Sequence, residues 1–364
     1  MPPTTSEPRC DKLMSEESAV AELMSSDAEY HSTRGSAYQG DSRELLTELP
    51  DDSIDLVVTS PPFALQHEKE YGNEGQDGYN DWFLDFVPEV RRVLQPHGSF
   101  VIEIGGAFKR GWPERSTYQF ELLTRIVNET DMKLAQDFYW YNPAKLPNPI
   151  EWVNVRKIRV TDAITHIWWL APEINKDSAV EEGEQPHPEA SNQRVLQEYS
   201  DSQKDLMETG EFNDGKRSSG WNIDEEAFAN DNDGSIPDNL IEASNTASNT
   251  HYLKMCREFD VDSHPARFPR QIPEFFINYL TPNPPYDDWD RGGLDRPIVL
   301  DIFAGSNITG MIAEKLHRNW LAFEREQKYI DTSQFRFLTE EEIKHRYNDD
   351  QSDFGDFATL SDGD

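Results

Sequence analysis

The sequence has few cysteines, a shortage of basic residues and no long apolar run. Cys10 and Cys256 are its only cysteines, too few for a metal cluster or a disulfide framework, which suits a reducing compartment. No segment approaches the roughly 20 apolar residues that cross a bilayer, and the N-terminus lacks the apolar core of a signal peptide. These absences predict a soluble cytoplasmic protein that binds no metal and no membrane.

The shortage of positive charge constrains any nucleic-acid partner. The chain has 34 Lys and Arg against 69 Asp and Glu, a net charge of −35, whereas DNA binding normally depends on basic residues that displace counterions. One interpretation places the acid on disordered tails and a solvated surface. The other interpretation is a halophilic protein. At about 1 M salt the Debye length falls to roughly 3 Å, so the acidic surface would hardly repel a nucleic acid. Acid also runs through segments that look folded, which favours the second.

Short apolar runs alternate with helical patterns, which predicts an α/β fold with a largely parallel sheet. We expect an acidic, disordered tail over residues 1–33, a catalytic half over 34–171, a target-recognition region over 172–261, a cofactor-binding half over 262–338 and an acidic tail over 339–364. A polar region as long as 172–261 should be functional or disordered. Seven strands are predicted, at residues 36–39, 54–59, 99–104, 134–141, 163–170, 298–302 and 320–323.

A proline-rich turn, Ser60-Pro61-Pro62-Phe63, directly follows the apolar run 55–59. The prolines fix the backbone and remove competing N–H donors, so the Ser60 hydroxyl and the Pro61 carbonyl can accept hydrogen bonds from an amino group. Phe63 offers a ring on which a base can stack, and a base inside a duplex must first be flipped out. The competing interpretation is a proline-rich loop that merely ends a buried strand.

A second turn, at residues 301–310, lies between an apolar run and a helical stretch. Strand, small-residue turn and helix N-terminus form a ligand-binding arrangement that lets the backbone approach a cofactor closely. The turn lacks the Gly-x-Gly-x-x-Gly spacing of dinucleotide-binding enzymes, which argues against an NAD-linked oxidoreductase. Glu324 ends the next strand, some twenty residues on in the chain, and could instead be an ordinary surface acid. Asp41 follows an earlier strand.

These two motifs resemble those of the S-adenosylmethionine-dependent DNA amino-methyltransferases. The Ser-Pro-Pro-Phe turn is similar to the catalytic motif of cytosine-N4 enzymes, whereas adenine-N6 enzymes usually have Asp or Asn before the prolines and Tyr after them. The catalytic motif precedes the cofactor turn, which is the permuted β order. Residues 60–66, 139–143, 149–154 and 234–237 resemble the PvuII-type cytosine-N4 methyltransferases, and the likeness covers about residues 36–338.

The resemblance implies a doubly wound, seven-stranded, circularly permuted fold and S-adenosylmethionine as the cofactor. It implies that Asp41 accepts the adenine amino group and that Glu324 accepts both ribose hydroxyls. It also implies that His264 packs behind the methionine end of the cofactor, without acting as an acid or base. The turn residues that it assigns to the cofactor are Asp301, Phe303, Ala304, Gly305 and Ser306.

Basic residues near the aromatic run 139–141 are candidates for DNA contact: Arg156, Lys157 and Arg159. A basic strand edge explains them equally well. Lys216 and Arg217, inside the recognition region, form a second candidate.

The predicted function is methylation of cytosine N4 in a short palindrome of double-stranded DNA, such as CAGCTG or the shorter CTAG. We expect a monomer or weak dimer, with or without a cognate restriction endonuclease. The alternatives are an adenine-N6 enzyme of the same class and a catalytically inactive DNA-binding relative.

Overall fold

The computed structural model describes residues 18–64, 75, 78–109, 111–175, 188–209, 233–246, 248–267, 269–284 and 294–349. Within them, one sheet has nine strands in the order β1-β2-β9-β8-β3-β4-β6-β5-β7. The strands are β1 (Tyr30–His31), β2 (Gly35–Gln39), β3 (Ile54–Thr59), β4 (Leu94–Ile104), β5 (Lys133–Tyr141), β6 (Ile164–Ala171), β7 (Leu240–Glu242), β8 (Ile298–Asp301) and β9 (Asn319–Glu324).

The predicted mixed α/β fold is confirmed, with two more strands than expected. Each of the seven predicted strands is present, and the largest difference is that β4 begins at Leu94 rather than at residue 99. The additional strands, β1 and β7, lie at the two edges of the sheet. They have two and three residues, which is too short for an alternating apolar pattern to appear in the sequence.

The centre of the sheet is parallel and apolar on both faces. Strands β2, β9, β8, β3 and β4 are parallel, and β6 and β5 continue the sheet as an antiparallel pair. Side chains alternate between the faces of a strand, so Val57 of β3 packs in one hydrophobic cluster while Leu56 and Val58 pack in the other. This pattern explains why β3 reads as a continuous apolar run.

The described residues form ten α-helices: α1 (Ser42–Leu46), α2 (Tyr79–Leu84), α3 (Val87–Val93), α4 (Tyr118–Glu129), α5 (Asp201–Thr209), α6 (His251–Glu258), α7 (Gln271–Leu280), α8 (Ile308–Lys315), α9 (Gln327–Ser333) and α10 (Glu340–Asp349). Helices α1 to α4 bury apolar residues on one face, and α7 to α9 on the other. The sheet is therefore doubly wound.

The structure corrects part of the predicted disordered tails, and it describes ordered elements within the predicted recognition region. A 3₁₀ helix (Ala19–Leu23) and β1 lie where a disordered tail was expected, and Val20 is fully buried in the core. Helix α10 occupies the start of the predicted C-terminal tail. Within residues 172–261, β7 joins the main sheet, and α6 packs in a third cluster with Phe335. None of the described helices is long and apolar enough to cross a membrane.

Strands β3 and β8 are the neighbours that position the site. They are parallel, with Leu56 opposite Val299 and Val57 opposite Leu300. The Ser-Pro-Pro-Phe turn and the small-residue turn begin where these strands end, so the two motifs lie side by side at the same sheet edge. Such carboxyl edges are where open α/β sheets bind ligands.

Candidate active site

A cleft with an empty volume of about 1010 Å³ opens where β2, β3, β8 and β9 end. Its walls bring together the two predicted motifs and the predicted acids of neighbouring strands. The predicted residues that line it are Ser60, Pro61, Pro62, Phe63, Asp41, Phe303, Ala304, Gly305, Ser306, Glu324 and His264. One cleft therefore contains every predicted base-binding residue and all but one of the predicted cofactor residues.

Asp301 is the exception, because its side chain lies beneath the cleft and is 1% exposed. Its carboxylate accepts hydrogen bonds from the Thr59 hydroxyl at 2.7 Å, the Thr309 hydroxyl at 2.7 Å and the Phe303 backbone N–H at 3.1 Å. Burial raises its pKa to about 6. This corrects the prediction that Asp301 contacts the cofactor: it joins the ends of β3 and β8 and positions the turn.

The small-residue turn has a backbone that only certain residues tolerate. Gly305 has φ of +53°, and a Cβ there would lie 3.1 Å from the His264 ring, so glycine serves both the conformation and the close approach. Asn307 is also left-handed, at φ of +51°, and its side chain accepts from the Gly310 N–H to cap α8. The turn thus enters α8 with its backbone held close against His264.

Arg336 supports the turn and was not predicted from the sequence. Its guanidinium donates to the Ser306 carbonyl and, at 2.7 Å, to the Ser306 hydroxyl. It also lies over the Tyr252 ring, 4.3 Å from the centroid. Burial lowers its pKa to about 10, yet it remains charged near neutral pH. Thirty residues separate Arg336 from Ser306, which leaves no local signal for this contact.

Glu324 lies half-buried at the end of β9 and holds the turn from the other side. One carboxylate oxygen accepts from the Gly305 backbone N–H at 2.7 Å and the other from the Glu326 N–H at 2.9 Å. Burial raises its pKa. Each oxygen has a second lone pair, so Glu324 can accept two further hydrogen bonds from a ligand in the cleft.

Asp41 caps α1, and its carboxylate is already paired. It accepts from the Arg43 backbone N–H at 2.9 Å and forms an ion pair with the Arg43 guanidinium at 2.6 Å. The hydrogen bond from the Arg43 side chain is the main reason that the pKa of Asp41 is lowered. Asp41 is therefore an ionised acceptor at the rim of the cleft.

An aromatic cluster forms the apolar wall of the cofactor side. The Phe303 ring packs against Phe86, with centroids 5.0 Å apart, and against Trp82 at 5.6 Å. Both Trp82 and Phe86 line the cleft. Together with the carboxylates of Glu324 and Asp41, this wall suits a ligand that combines a flat ring with hydroxyl and amino groups.

The Ser60 hydroxyl donates a hydrogen bond to Glu103, a residue of β4 that is 3% exposed. Burial raises the pKa of Glu103 to about 7. Its other oxygen, Oε1, has no hydrogen-bond partner among the described residues. An acid inside the apolar run 100–104 is the sequence signal that could have identified it, because a buried carboxylate is costly without a function.

Phe63 is fixed by close contact with the chain that follows β4. A Cβ on Gly105 would lie 2.5 Å from the Phe63 ring, so only glycine leaves room for the ring there. The Gly105 carbonyl in turn accepts from the Tyr118 hydroxyl. Two residues near the end of β4, Glu103 and Gly105, therefore position the first and last residues of the Ser-Pro-Pro-Phe turn.

Comparison with known proteins decides the family. A family model described as DNA methylase matches residues 54–335. The chain belongs to this DNA methylase family. It is 46% identical over 325 residues to the type II methyltransferase M.PvuII of Proteus hauseri, covering 88% of this chain and 89% of that protein. It is 25% identical over 322 residues to M.SmaI of Serratia marcescens, covering 82% and 89%.

This DNA methylase also resembles a solved structure, the PvuII DNA methyltransferase (cytosine-N4-specific). The TM-score is 0.65 at 40% identity, over 92% of this chain and 95% of that one. The predicted cofactor, S-adenosylmethionine, is confirmed. The aromatic wall could hold its adenine ring, and the remaining lone pairs of Glu324 could accept hydrogen bonds from its ribose hydroxyls.

The predicted DNA-contacting residues lie apart from the cleft lining. Arg156 and Lys157 are exposed, Arg156 pairs with Glu151 at 2.7 Å, and Lys157 has φ of +56°. Arg159 donates to the Pro113 carbonyl at 2.7 Å and lies over the Phe108 ring. The other two candidates, Lys216 and Arg217, fall outside the described residues.

Proposed function

We propose that this DNA methylase transfers the methyl group of S-adenosylmethionine to N4 of a cytosine flipped out of duplex DNA. The observation that carries the proposal is the Ser60 hydroxyl at the end of β3, which donates to buried Glu103 of β4 and lies directly beside the cofactor turn at the end of β8. The 40% identity to the solved PvuII DNA methyltransferase (cytosine-N4-specific) supports cytosine as the target.

The hydrogen bond between Ser60 and Glu103 determines that Ser60 acts as an acceptor toward the base. A cytosine amino group has two hydrogens to donate, and its lone pair is delocalised into the ring. Because Ser60 gives its own hydrogen to Glu103, its oxygen lone pairs are free to accept one amino hydrogen. The Pro61 carbonyl, held rigid by the two prolines, accepts the other. Phe63 stacks on the base, and the amino nitrogen becomes more tetrahedral and nucleophilic.

The methyl group, carried on sulfur, is supplied by the cofactor as an electrophile. The amino nitrogen gives its electron pair to the new N–C bond while the S–C bond breaks, so the nitrogen becomes positive and must release one hydrogen as a proton. Ser60 accepts that proton and passes its own to Glu103, which has a pKa of about 7 and can receive it. We propose that transfer is direct, without a covalent cysteine adduct: Cys256, the cysteine in the described part of the chain, is buried in the third cluster and does not line the cleft.

The rate of methyl transfer is expected to rise with pH through about 7. Ionised Glu103 accepts a hydrogen bond from Ser60, which leaves the Ser60 lone pairs for the base. Protonated Glu103 instead donates to Ser60, so the Ser60 hydrogen faces the amino group of the base. A pH–rate profile at saturating DNA and cofactor measures this midpoint. Glu103→Gln should remove the midpoint and lower the rate on the order of 10²-fold. The exposed α4 variant Glu121→Gln is the control, and a Glu103→Gln profile that keeps its midpoint would contradict the proposal.

An adenine-N6 enzyme and an inactive DNA-binding relative are the alternatives. Phe63 and the hydroxyl of Ser60 favour cytosine over adenine, because adenine-N6 enzymes usually have an acid or amide and a tyrosine at those positions. The complete Ser60–Glu103 pair beside the cofactor turn argues against lost catalysis. Transfer of tritium from labelled cofactor to duplex DNA is expected, and no transfer in any salt concentration would favour the inactive relative.

We also propose that the protein works in concentrated salt. The net charge of −35 makes the folded chain repel itself in dilute buffer, and acid occurs within folded elements such as the first turn of α10. The melting temperature should rise by at least about 4 °C between dilute buffer and molar KCl, which corresponds to roughly 1–2 kcal/mol in a large domain. Sucrose of equal osmolality is the control for solute exclusion; a melting temperature insensitive to KCl would contradict the proposal.

For its partners, we propose a monomer or weak dimer that acts in the cytoplasm on a short palindrome of double-stranded DNA, with CAGCTG the site that the PvuII-type resemblance suggests. The genes that flank this one in the host genome will show whether a cognate restriction endonuclease is encoded beside it. Methylation-aware sequencing of the host and of a deletion strain gives the palindrome directly. A methylated site other than CAGCTG would point to changes within residues 172–261.

A further inference from the structure

We propose that the connection between β5 and β6, here the β5–β6 loop (residues 142–163), inserts aliphatic side chains into the DNA duplex and fills the space that the flipped cytosine leaves. The inference rests on the proposed function, because it requires a base to leave the stack. It concerns how the flipped state is stabilised, and it assigns a role to apolar residues that the chemistry of methyl transfer does not use.

The β5–β6 loop carries aliphatic side chains that face solvent. Val160 is 86% exposed and Leu146 is 72% exposed, and three others exceed 60%: Ile150, Val155 and Ile158. Elsewhere in the described residues, the exposed large hydrophobics are spread along the chain over helices, strands and other loops, and no other loop carries as many as five. Aliphatic residues grouped in one exposed loop give up the gain of burial, which indicates a surface that becomes covered on binding.

The loop nevertheless has a defined backbone. The Trp152 carbonyl accepts from the Ile158 N–H at 3.0 Å and from the Arg159 N–H at 3.2 Å, which closes the chain back on itself. The Asn154 side chain donates to the Pro147 carbonyl at 3.0 Å. Because these bonds fix where Val155, Ile158 and Val160 stand, the loop presents them without first having to be ordered.

The charge of the loop matches a polyanion. It contains four basic residues, Lys145, Arg156, Lys157 and Arg159, and two acids, Glu151 and Asp162, in a chain whose net charge is −35. Both acids are paired with arginines, Glu151 with Arg156 and Asp162 with Arg115. A second copy of this chain is a poorer occupant, because two such loops would bring like charges together, whereas phosphates flank every base step of a duplex.

The loop is also tied to the residues that hold the base. Arg159 bonds the Pro113 carbonyl and stacks on Phe108, and both belong to the chain that continues from β4 past Glu103 and Gly105. At the other end of the loop, the charge of Lys145 acts on Glu103, where it opposes the rise in pKa that burial causes. A side chain that enters the duplex from this loop therefore comes from the same side as the pocket that receives the base.

Physically, an apolar wedge between base steps replaces part of the stacking that a flipped base gives up. Base flipping is therefore the step that the loop should affect, more than phosphate contact or methyl transfer itself. When the target base has no partner in the opposite strand, flipping costs less and the wedge is needed less. This difference separates the wedge from a general DNA-binding surface.

The test uses the full-length triple variant Val155→Ser, Ile158→Ser, Val160→Ser and a synthetic duplex carrying the site found by methylation-aware sequencing. Flipping is read from the fluorescence of a 2-aminopurine that replaces the target cytosine and is paired with thymine, which needs no methyl transfer, and the rate is read from tritium transfer to the cytosine duplex. On the paired duplex both should fall about tenfold or more. With the target cytosine opposite an abasic site, the rate should recover to within about threefold of the wild type.

Two further variants control for misfolding and for general surface effects. Leucine at the same three positions keeps the side chains apolar and should retain flipping and transfer, while Val127→Ser on α4 should change neither. Equal losses on the paired and abasic duplexes, or no loss on either, would overturn the wedge. Sedimentation that shows a dimer broken by the serine variant would assign the loop to self-association instead. Normal flipping without tritium transfer would overturn the proposed function and leave the wedge standing.

Discussion

Methyl transfer is expected to fall on the order of 10²–10³-fold when Ser60 is replaced by alanine, the cost of removing one acceptor that acts in the transition state. The hydroxyl accepts the amino hydrogen and relays a proton to Glu103, and alanine can do neither. Cofactor affinity should be unchanged, because the cofactor turn is held by Glu324, Arg336 and Asp301 instead. Single-turnover kinetics and calorimetry measure the two quantities separately.

Ser53→Ala is the matched control, since Ser53 lies just before the same strand and its hydroxyl donates a hydrogen bond to the local Pro50 carbonyl at 2.8 Å. It should leave both the rate and the cofactor affinity near wild type. Turnover in the Ser60 variant within a few fold of the wild type would remove Ser60 from the mechanism, whatever the cofactor affinity.

Cofactor binding is expected to weaken by about 10- to 150-fold in Glu324→Ala, which corresponds to roughly 1.5–3 kcal/mol for losing hydrogen bonds to a charged acceptor. The carboxylate holds the Gly305 and Glu326 N–H groups at 2.7 and 2.9 Å and has lone pairs left for the ribose hydroxyls. Alanine removes the ribose acceptor and loosens the turn at Gly305. Calorimetric titration with S-adenosylmethionine gives the dissociation constant.

Glu326→Ala separates this effect from a general loss of negative charge. The Glu326 side chain meets Arg325 at 3.3 Å, and Glu326 does not line the cleft. Its replacement should change the dissociation constant little, although it removes the same charge two residues away. Equal dissociation constants for the wild type and Glu324→Ala would reject the assignment of Glu324.

The strands and turns of the site could be predicted because their signals are local. Strand β3 has the predicted bounds, Ile54–Thr59, since a strand buried on both faces shows as a continuous apolar run. The turn at Gly305 could be predicted because a left-handed residue that approaches another side chain closely requires glycine. The conformations of the buried strand and of the glycine turn both depend on residues close by in the chain.

Residues whose role depends on a distant partner could not be predicted. Asp301 follows an apolar run and precedes the turn, but only the packing of α8 shows that it faces Thr309 rather than the cleft. Arg336 reaches Ser306 across the fold. Glu103 meets Ser60 because β3 and β4 are adjacent and parallel, with Thr59 opposite Ile102. Its charge in an apolar strand was visible, but its partner was not.

Identification of the methylated nucleoside tests the central claim most directly. Duplex DNA methylated by the purified protein in high salt is digested to nucleosides and analysed by mass spectrometry. The Ser60–Glu103 site beside the cofactor turn predicts N4-methylcytosine as the product, absent when Ser60 is alanine. N6-methyladenine, or no methylated nucleoside, would contradict it.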